Sequence, residues 1–271
     1  MNTLEKLYDD LPFPCEIHCA RFDSNIFNKF KNLDRYKVFI NSTEPNSSCQ
    51  PIQDVINKHK YFDLILTKTP EIINNCDNSK LFLFGDTWVK PNNSIDVKKF
   101  SVSFLCSAHV NRCLNYEIRK ELWHRQNEIK IPKNFFSSNI TIIDENRKLP
   151  FNSNKFEEKL PIFESMFSVS FENSVEINYF SEKIIDCFHC KTIPIYCGCP
   201  NISDYFNMDG VIKVNSVDEL ISTCNTLTPE LYVSKHEAIM DNYNRAFSYF
   251  PITERIHEEI ISNYKIKYLK T

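Results

Sequence analysis

Glycine is nearly missing from this sequence. Its 271 residues include three, Gly85, Gly198 and Gly210, where an average chain carries about 7%. That scarcity excludes a phosphate-cradling P-loop, which needs two glycines ahead of Lys and Ser/Thr. It equally excludes the G-x-G-x-x-G dinucleotide fingerprint and any collagen-like or glycine-rich disordered class. A nucleotide bound here must be gripped by side chains and helix ends. Long apolar runs are missing too, and no stretch reads as a bilayer span. Residues 1–14 are mixed and acidic, unlike a signal peptide, so the expected compartment is a reducing cytoplasm. An excess of positive charge is also missing. With 32 Lys and Arg against 35 Asp and Glu, broad nucleic-acid binding is not expected.

What is present suits a folded enzyme-sized domain. Hydrophobic residues make up 42% and aromatics 13%, enough for a sizeable core, and the length allows one large or two small domains. Asn, Lys, Ile and Phe are abundant, a mark of an AT-rich genome, so a single Asn carries little weight by itself. The 11 cysteines are odd in number and scattered, which is not a disulfide framework. Several lie in apolar runs, where free Cys behaves as a small hydrophobe. Cys187, His189 and Cys190 suggest half a zinc site, but no second Cys-x-x-Cys pair follows, and a structural site needs four ligands.

Short apolar runs alternate with segments of helical period. The pattern predicts strands over 16–20, 37–41, 62–67, 80–84, 100–106, 140–144, 167–171, 192–196 and 211–214. It predicts helices over 24–31, 51–58, 70–75, 114–129, 181–190, 203–206, 217–227, 229–247 and 252–266. Such alternation implies an α/β protein whose parallel sheets are covered on both faces. The Asn-rich stretch 132–154 reads as irregular and divides the chain into halves, 1–131 and 132–250. Pro251 interrupts the helical pattern and sets off a last helix, 251–271, expected to cross back to the first half.

Binding clefts in open α/β sheets lie beyond the carboxyl ends of strands. The densest such place runs from Phe167 to Val214. Its first strand ends in Glu172-Asn173-Ser174, a polar loop leads to Tyr179, and a helix opens at Ser181-Glu182-Lys183. Ser181 is a natural N-cap. Lysine in a first turn is unusual, because acidic residues are preferred there. A cation added to a positive helix end suggests an anionic ligand such as a diphosphate, and Glu182 beside it suits the two hydroxyls of a ribose. The competing reading is a solvated Glu-Lys pair at a surface helix start.

This segment resembles the donor-binding motif of the α1,3-fucosyltransferase family. That pattern reads F-x-x-x-[FY]-E-N-[ST], then Y-[VF]-[TS]-E-K-[IL], then [TV]-[IV]-P-[IV]-Y-x-G. Here it falls on Phe167 to Ser174, Tyr179 to Ile184 and Thr192 to Gly198. The resemblance implies a GT-B fold, with two Rossmann-like domains whose parallel sheets face each other across a cleft. The first half becomes the acceptor side and the second the donor-binding side. It implies an inverting transferase that uses a sugar nucleotide, usually GDP-fucose, with no essential metal or other cofactor. Glu182 would then hold the ribose hydroxyls and Lys183 the phosphates. Asn173 and Tyr179 would line the nucleotide site, Ser181 would cap the helix, and Glu172 is expected to shape the loop.

Three further positions join this reading. The family has an arginine that grips the diphosphate, and Arg119 is the matching candidate with Arg112 as fallback; a guanidinium fork suits phosphate oxygens. Its alternative is a surface ion-pair partner. The family places its general base in a Glu-containing loop before a Phe-Asp strand, which points to Glu44 ahead of Phe62-Asp63. A carboxylate there would take the acceptor hydroxyl proton, unless it is a turn residue facing solvent. In Gly85-Asp86-Thr87-Trp88 the indole reads either as a surface for a sugar face or as a core residue.

No Asp-x-Asp metal motif accompanies these groups, so Arg119, Lys183 and the helix end are left to neutralise the leaving diphosphate. The expected partners are a sugar nucleotide and the glycan of an oligosaccharide or glycoprotein, with no nucleic acid and no membrane span. The chain is shorter than most fucosyltransferases and is similar to short viral or phage members, whose compartment would be the host cytoplasm. Some of these use other sugars, such as xylose from UDP-xylose. A non-catalytic sugar- or nucleotide-binding module remains a second reading, and the glycine scarcity weighs against a P-loop kinase or sulfotransferase.

Overall fold

The apolar runs pair into two separate sheets, four-stranded and five-stranded, and every pairing is parallel. The computed structural model describes residues 11–19, 24–42, 51–91, 95, 97–106, 115–138, 144–149 and 156–268. The chain divides into two units, Met1–Phe84 with Phe250–Thr271, and Gly85–Tyr249.

The first unit contains β1 (Cys15–Cys19), α1 (Ser24–Lys31), β2 (Tyr36–Asn41), α2 (Ile52–Lys58), β3 (Leu64–Thr67), α3 (Pro70–Asn75) and β4 (Ser79–Leu81), in sheet order β1-β2-β3-β4. β3 is buried at every position and β2 at all but one, as parallel strands covered on both faces must be. One face packs Phe39 and Ile65 against Phe27, Phe30, Val55 and Ile72 of the three helices. The other packs Val38, Ile40, Leu64 and Leu66 against Ile256 and Ile260 of the last helix, Ile252–Tyr268.

The second unit contains β5 (Lys99–Cys106), α4 (Asn115–Arg125), β6 (Lys133–Ser137), β7 (Ser165–Phe171), α5 (Glu182–His189), β8 (Ile193–Cys197), β9 (Ile212–Lys213), α6 (Val217–Cys224), α7 (Pro229–Ser234) and α8 (His236–Ala246). Its strand order is β6-β5-β7-β8-β9. Val102, Phe104, Phe167, Val169 and Ile195 pack on Leu122 and Trp123 of α4 and on Val217, Leu220 and Ile221 of α6. Leu105 and Phe136, one residue out of phase, join Val89, Ile162, Phe163, Cys187 and Cys190 in another cluster, because successive side chains leave a strand on opposite faces.

Several expectations need correcting. The division expected at residue 131 moves to residue 84, since β5 hydrogen-bonds with β6 and β7 and so belongs to the second sheet. Inside the stretch expected to be irregular, 133–137 forms edge strand β6 on β5. Its Lys-Asn-Phe-Phe-Ser sequence has little strand signal of its own, and pairing supplies the rest. Most of the strand expected over 140–144 falls outside the described residues, and Asp144 instead caps a 3-10 turn, its side chain accepting from Asn146 N–H. The helix expected over 229–247 breaks at Lys235 into α7 and α8, and 203–206 gives way to a 3-10 turn, Ile202–Asp204.

Candidate functional site

A ligand crevice forms at the strand ends where neighbouring connections leave in opposite directions. In the second unit that point lies between β5 and β7. From β5 the chain runs through α4 to β6 on one side, then returns to β7 on the other. Arg119 of α4 is buried there. Its Nη2 donates to the Phe171 carbonyl at the end of β7 and to Asn173 Oδ1 at 2.8 Å. The guanidinium thus ties the first helix of the unit to the loop that follows β7.

That loop is held by a carboxylate. Glu172 is fully buried and accepts the Ser181 N–H at 2.9 Å and the Ser181 hydroxyl at 2.6 Å. Ser181 Oγ in turn accepts from the Lys183 N–H at 3.4 Å, which caps α5. The arrangement requires Gly198. A Cβ there would stand 2.4 Å from both Glu172 Cγ and Tyr196 Oη, and Tyr196 is itself tied down, its hydroxyl accepting the Cys199 N–H at 2.9 Å.

Charge gathers around this cap. Lys183 Nζ donates to Ser181 Oγ and to Glu182 Oε1, both at 3.1 Å, and lies 3.9 Å from Glu172 Oε2. An ammonium has three donors, and these two bonds engage two of them. Burial works against the Lys183 charge, but Glu182 and Glu172 outweigh it and hold its pKa above the ordinary lysine value, while Arg119 repels it. Burial also opposes ionisation of Glu182, yet Lys183 and Lys159 pull its pKa down to about 2. Glu172 differs: burial, with Glu182 beside it, raises its pKa despite the opposing pull of Lys183 and Ser181. The Arg119 and Lys183 cations thus repel each other across the cap while the Glu182 and Glu172 carboxyls compensate Lys183.

Tyr179 is buried at the far end of the loop, behind a polar clasp. Asn178 adopts a left-handed φ of 62°. Its N–H donates to Asn201 Oδ1 at 2.9 Å, and its own Oδ1 accepts from Asn201 Nδ2 at 2.9 Å and from the Tyr205 hydroxyl at 2.5 Å. Phe180 packs edge-on against Phe206 and Tyr249, and its ring edge comes within 2.7 Å of where a Gly85 Cβ would sit.

One cluster escaped the sequence reading. Asp186, fully buried on α5, accepts from Lys159 Nζ at 2.5 Å, from the Thr87 hydroxyl at 2.8 Å and from the Trp88 N–H at 2.7 Å. Burial raises its pKa against the pull of Lys159. The signal that marks it is a lone charge inside the run Ile184-Ile185-Asp186-Cys187-Phe188, where an unpaired carboxylate would not be tolerated.

His189, at the end of α5, is 1% exposed, and neither ring nitrogen has a hydrogen-bond partner among the described residues. Phe247 meets its ring edge-on at 5.0 Å. Burial drops its pKa from 6.5 to about 4. Between those values the unfolded chain binds a proton that the folded chain does not, so stability falls as pH drops through this window. The shift corresponds to about 3 kcal/mol. His189→Phe is therefore expected to flatten that part of the profile in urea melts between pH 4 and pH 7. A variant profile parallel to the parent's would refute this assignment. Among the described residues, no group of three or more His, Cys, Asp or Glu is placed to hold a metal ion, and no helix is long and apolar enough to cross a membrane.

Of the expected site residues, Arg119 and Asn173 are joined directly, and Ser181, Glu182 and Lys183 form one linked set around Glu172. Glu44 and Arg112 lie outside the described residues.

No family model matches the chain. A stretch of 49 residues is 41% identical to an α1,3-fucosyltransferase of Helicobacter pylori and covers 18% of this chain. The match spans about a tenth of that relative's length, 10%. Over 89% of this chain and 77% of the other, the fold superposes on a crystal structure of an α1,3-fucosyltransferase with a TM-score of 0.54 at 18% identity. Over 85% and 72% it superposes on HepE of Anabaena, solved in complex with UDP-glucose, with a TM-score of 0.57 at 12% identity. The fold is α/β, of the GT-B kind, and the α1,3-fucosyltransferase resemblance of the motifs is met by a short sequence match and by a fold match.

Proposed function

We propose that the chain is a nucleotide-sugar-dependent glycosyltransferase that inverts the anomeric centre without a metal, with fucose from GDP-fucose as the leading donor and a glycan hydroxyl as acceptor. The observation that carries this reading is the convergence of Arg119, Asn173, Ser181, Glu182 and Lys183 at the β5/β7 strand ends. In this reading the diphosphate sits at Arg119, Lys183 and the start of α5, and Glu182 accepts hydrogen bonds from the ribose diol. Ser174 Oγ, buried and without a hydrogen-bond partner among the described residues, supplies a further contact for a ligand oxygen, since such orphaned groups cost about 1–3 kcal/mol when left unpaired.

The acceptor oxygen attacks the anomeric carbon opposite the diphosphate. Glu44 takes its proton as the bond to the diphosphate breaks. The charge that builds on the departing oxygen is met by Arg119, Lys183 and the helix end, already in place. A uridine donor, such as UDP-xylose, is the second reading, favoured by the fold likeness to a protein solved with UDP-glucose.

A thermal-shift panel of GDP, UDP, GDP-fucose and UDP-xylose tests both readings, because a ligand at a hundred times its Kd stabilises by about 2.7 kcal/mol. Lys183→Met is expected to weaken the bound donor tenfold or more, about 1.4 kcal/mol, in calorimetry. Unchanged affinity in that variant removes Lys183 from the diphosphate site, and no shift with any nucleotide removes the donor site itself.

A further inference from the structure

We propose that Trp88 is the nucleobase platform of the donor site, its indole taking the flat face of a base whose ribose lies at Glu182. The inference rests on the donor-site reading above and adds to it the residue that holds the base.

Exposure is the first argument. Trp88 is 41% exposed, although Thr87 and Val89 on either side are buried. An indole exposed to this extent offers a flat apolar face on which a second ring can stack.

Rigidity is the second. The Trp88 backbone N–H donates to Asp186 Oδ1 at 2.7 Å, which fixes the main chain at this point, and the Thr87 hydroxyl donates to the same oxygen at 2.8 Å. Lys159 Nζ lies 5.0 Å from the indole centroid and is anchored on Asp186 at 2.5 Å. Lys159 is itself buried, so it covers one face of the indole and the exposed area belongs to the remainder. A ring carried on an anchored backbone and backed by Lys159 loses less freedom when a second ring stacks on it.

Position is the third. Asp186 follows Glu182 by four residues on α5, and residues so spaced are neighbours on one helix face, about 5–6 Å apart. Lys159, bonded to Asp186 and lying over the indole, therefore keeps the Trp88 ring beside Asp186, one turn along α5 from Glu182. In a nucleoside diphosphate the ribose stands between phosphate and base. With the diphosphate at Lys183 and the ribose at Glu182, the next ring along is the base. Stacking on an aromatic side chain is sequence-tolerant, because every base has a π-face, so the platform serves guanine and uracil alike.

The chain has two tryptophans, Trp88 and Trp123, and Trp123 is buried. In a Trp123→Phe background, intrinsic fluorescence reports on Trp88 alone. GDP or UDP is expected to quench it and inorganic pyrophosphate is not. Trp88→Ala is expected to weaken GDP or UDP about tenfold to a hundredfold and to leave pyrophosphate affinity unchanged, while Trp88→Phe restores most of the loss. Equal losses for nucleotide and pyrophosphate would mark Trp88 as merely structural and overturn the inference. An effect on GDP-fucose without one on GDP would assign the ring to the sugar and overturn it too. Wild-type binding with Trp88→Ala unchanged sinks this inference alone, whereas a wild type that binds no nucleoside diphosphate sinks the donor-site reading with it.

Discussion

Glu44→Gln is expected to lower turnover by roughly a hundredfold to ten-thousandfold, the usual range for a general base, while donor affinity stays within about threefold. The asymmetry is the point of the measurement. A base acts on the acceptor hydroxyl and contributes in the transition state, so its loss appears in kcat and spares ground-state binding of the donor. Gln keeps the size and polarity of the side chain and removes only the ability to take a proton. The experiment pairs a transfer assay with calorimetry on the donor. Turnover close to normal would rule out Glu44 as the base, and an equal fall in turnover and donor affinity would point to a collapsed site.

Gly198→Ala is expected to be the most damaging single methyl in the second unit. The added carbon would stand 2.4 Å from Glu172 Cγ and Tyr196 Oη and 2.7 Å from Tyr196 Cζ. Neither neighbour has room to yield. Glu172 is pinned by two hydrogen bonds to Ser181, and Tyr196 is fully buried with its hydroxyl on the Cys199 N–H. Overpacking alone costs about 1–3 kcal/mol, and each buried hydrogen bond forced apart adds about 1–3 kcal/mol. A total near 4 kcal/mol lowers the melting temperature of a unit this size by about 10 °C. Donor affinity falls as well, since a displaced Glu172 releases Ser181 and with it the start of α5. A variant that melts within about 2 °C of the parent would show that the Glu172 clamp is not tight.

The loop between β7 and α5 was legible because its residues break the local pattern at both ends. Glu172-Asn173-Ser174 ends an apolar strand, and Ser181-Glu182-Lys183 opens a helix whose remaining positions are apolar but for Asp186 and His189. Local chemistry was enough to read both. The edge strand β6 was not legible, since Lys-Asn-Phe-Phe-Ser becomes a strand only through its pairing with β5. The sheet to which β5 belongs was hidden for the same reason: alternation marks a strand and says nothing of its neighbours. Lys159 and Asp186 are 27 residues apart in the chain, and no spacing rule joins them. What the sequence did offer was the anomaly of Asp186 in an apolar run, which called for a buried cation somewhere.

Among the described residues, two non-glycine residues are left-handed, Asn178 at φ 62° and Lys191 at φ 54°, and they bear on how this chain tolerates mutation. None of its glycines has a positive φ. All three instead stand where a Cβ would come within 2.7 Å of a neighbouring side chain, Phe180 at Gly85, Glu172 and Tyr196 at Gly198, and Asn242 at Gly210. Lys191 closes α5, its N–H donating to the Phe188 carbonyl and the Thr192 N–H to the Cys187 carbonyl, a role usually filled by glycine. Mutational drift away from glycine therefore acts unequally on a fold. Where glycine supplies backbone freedom, another residue can take over at about 1–2 kcal/mol. Where it supplies room, no other side chain is small enough. This chain has glycine only at points of steric contact, and those points are the sites at which variation is closed to it.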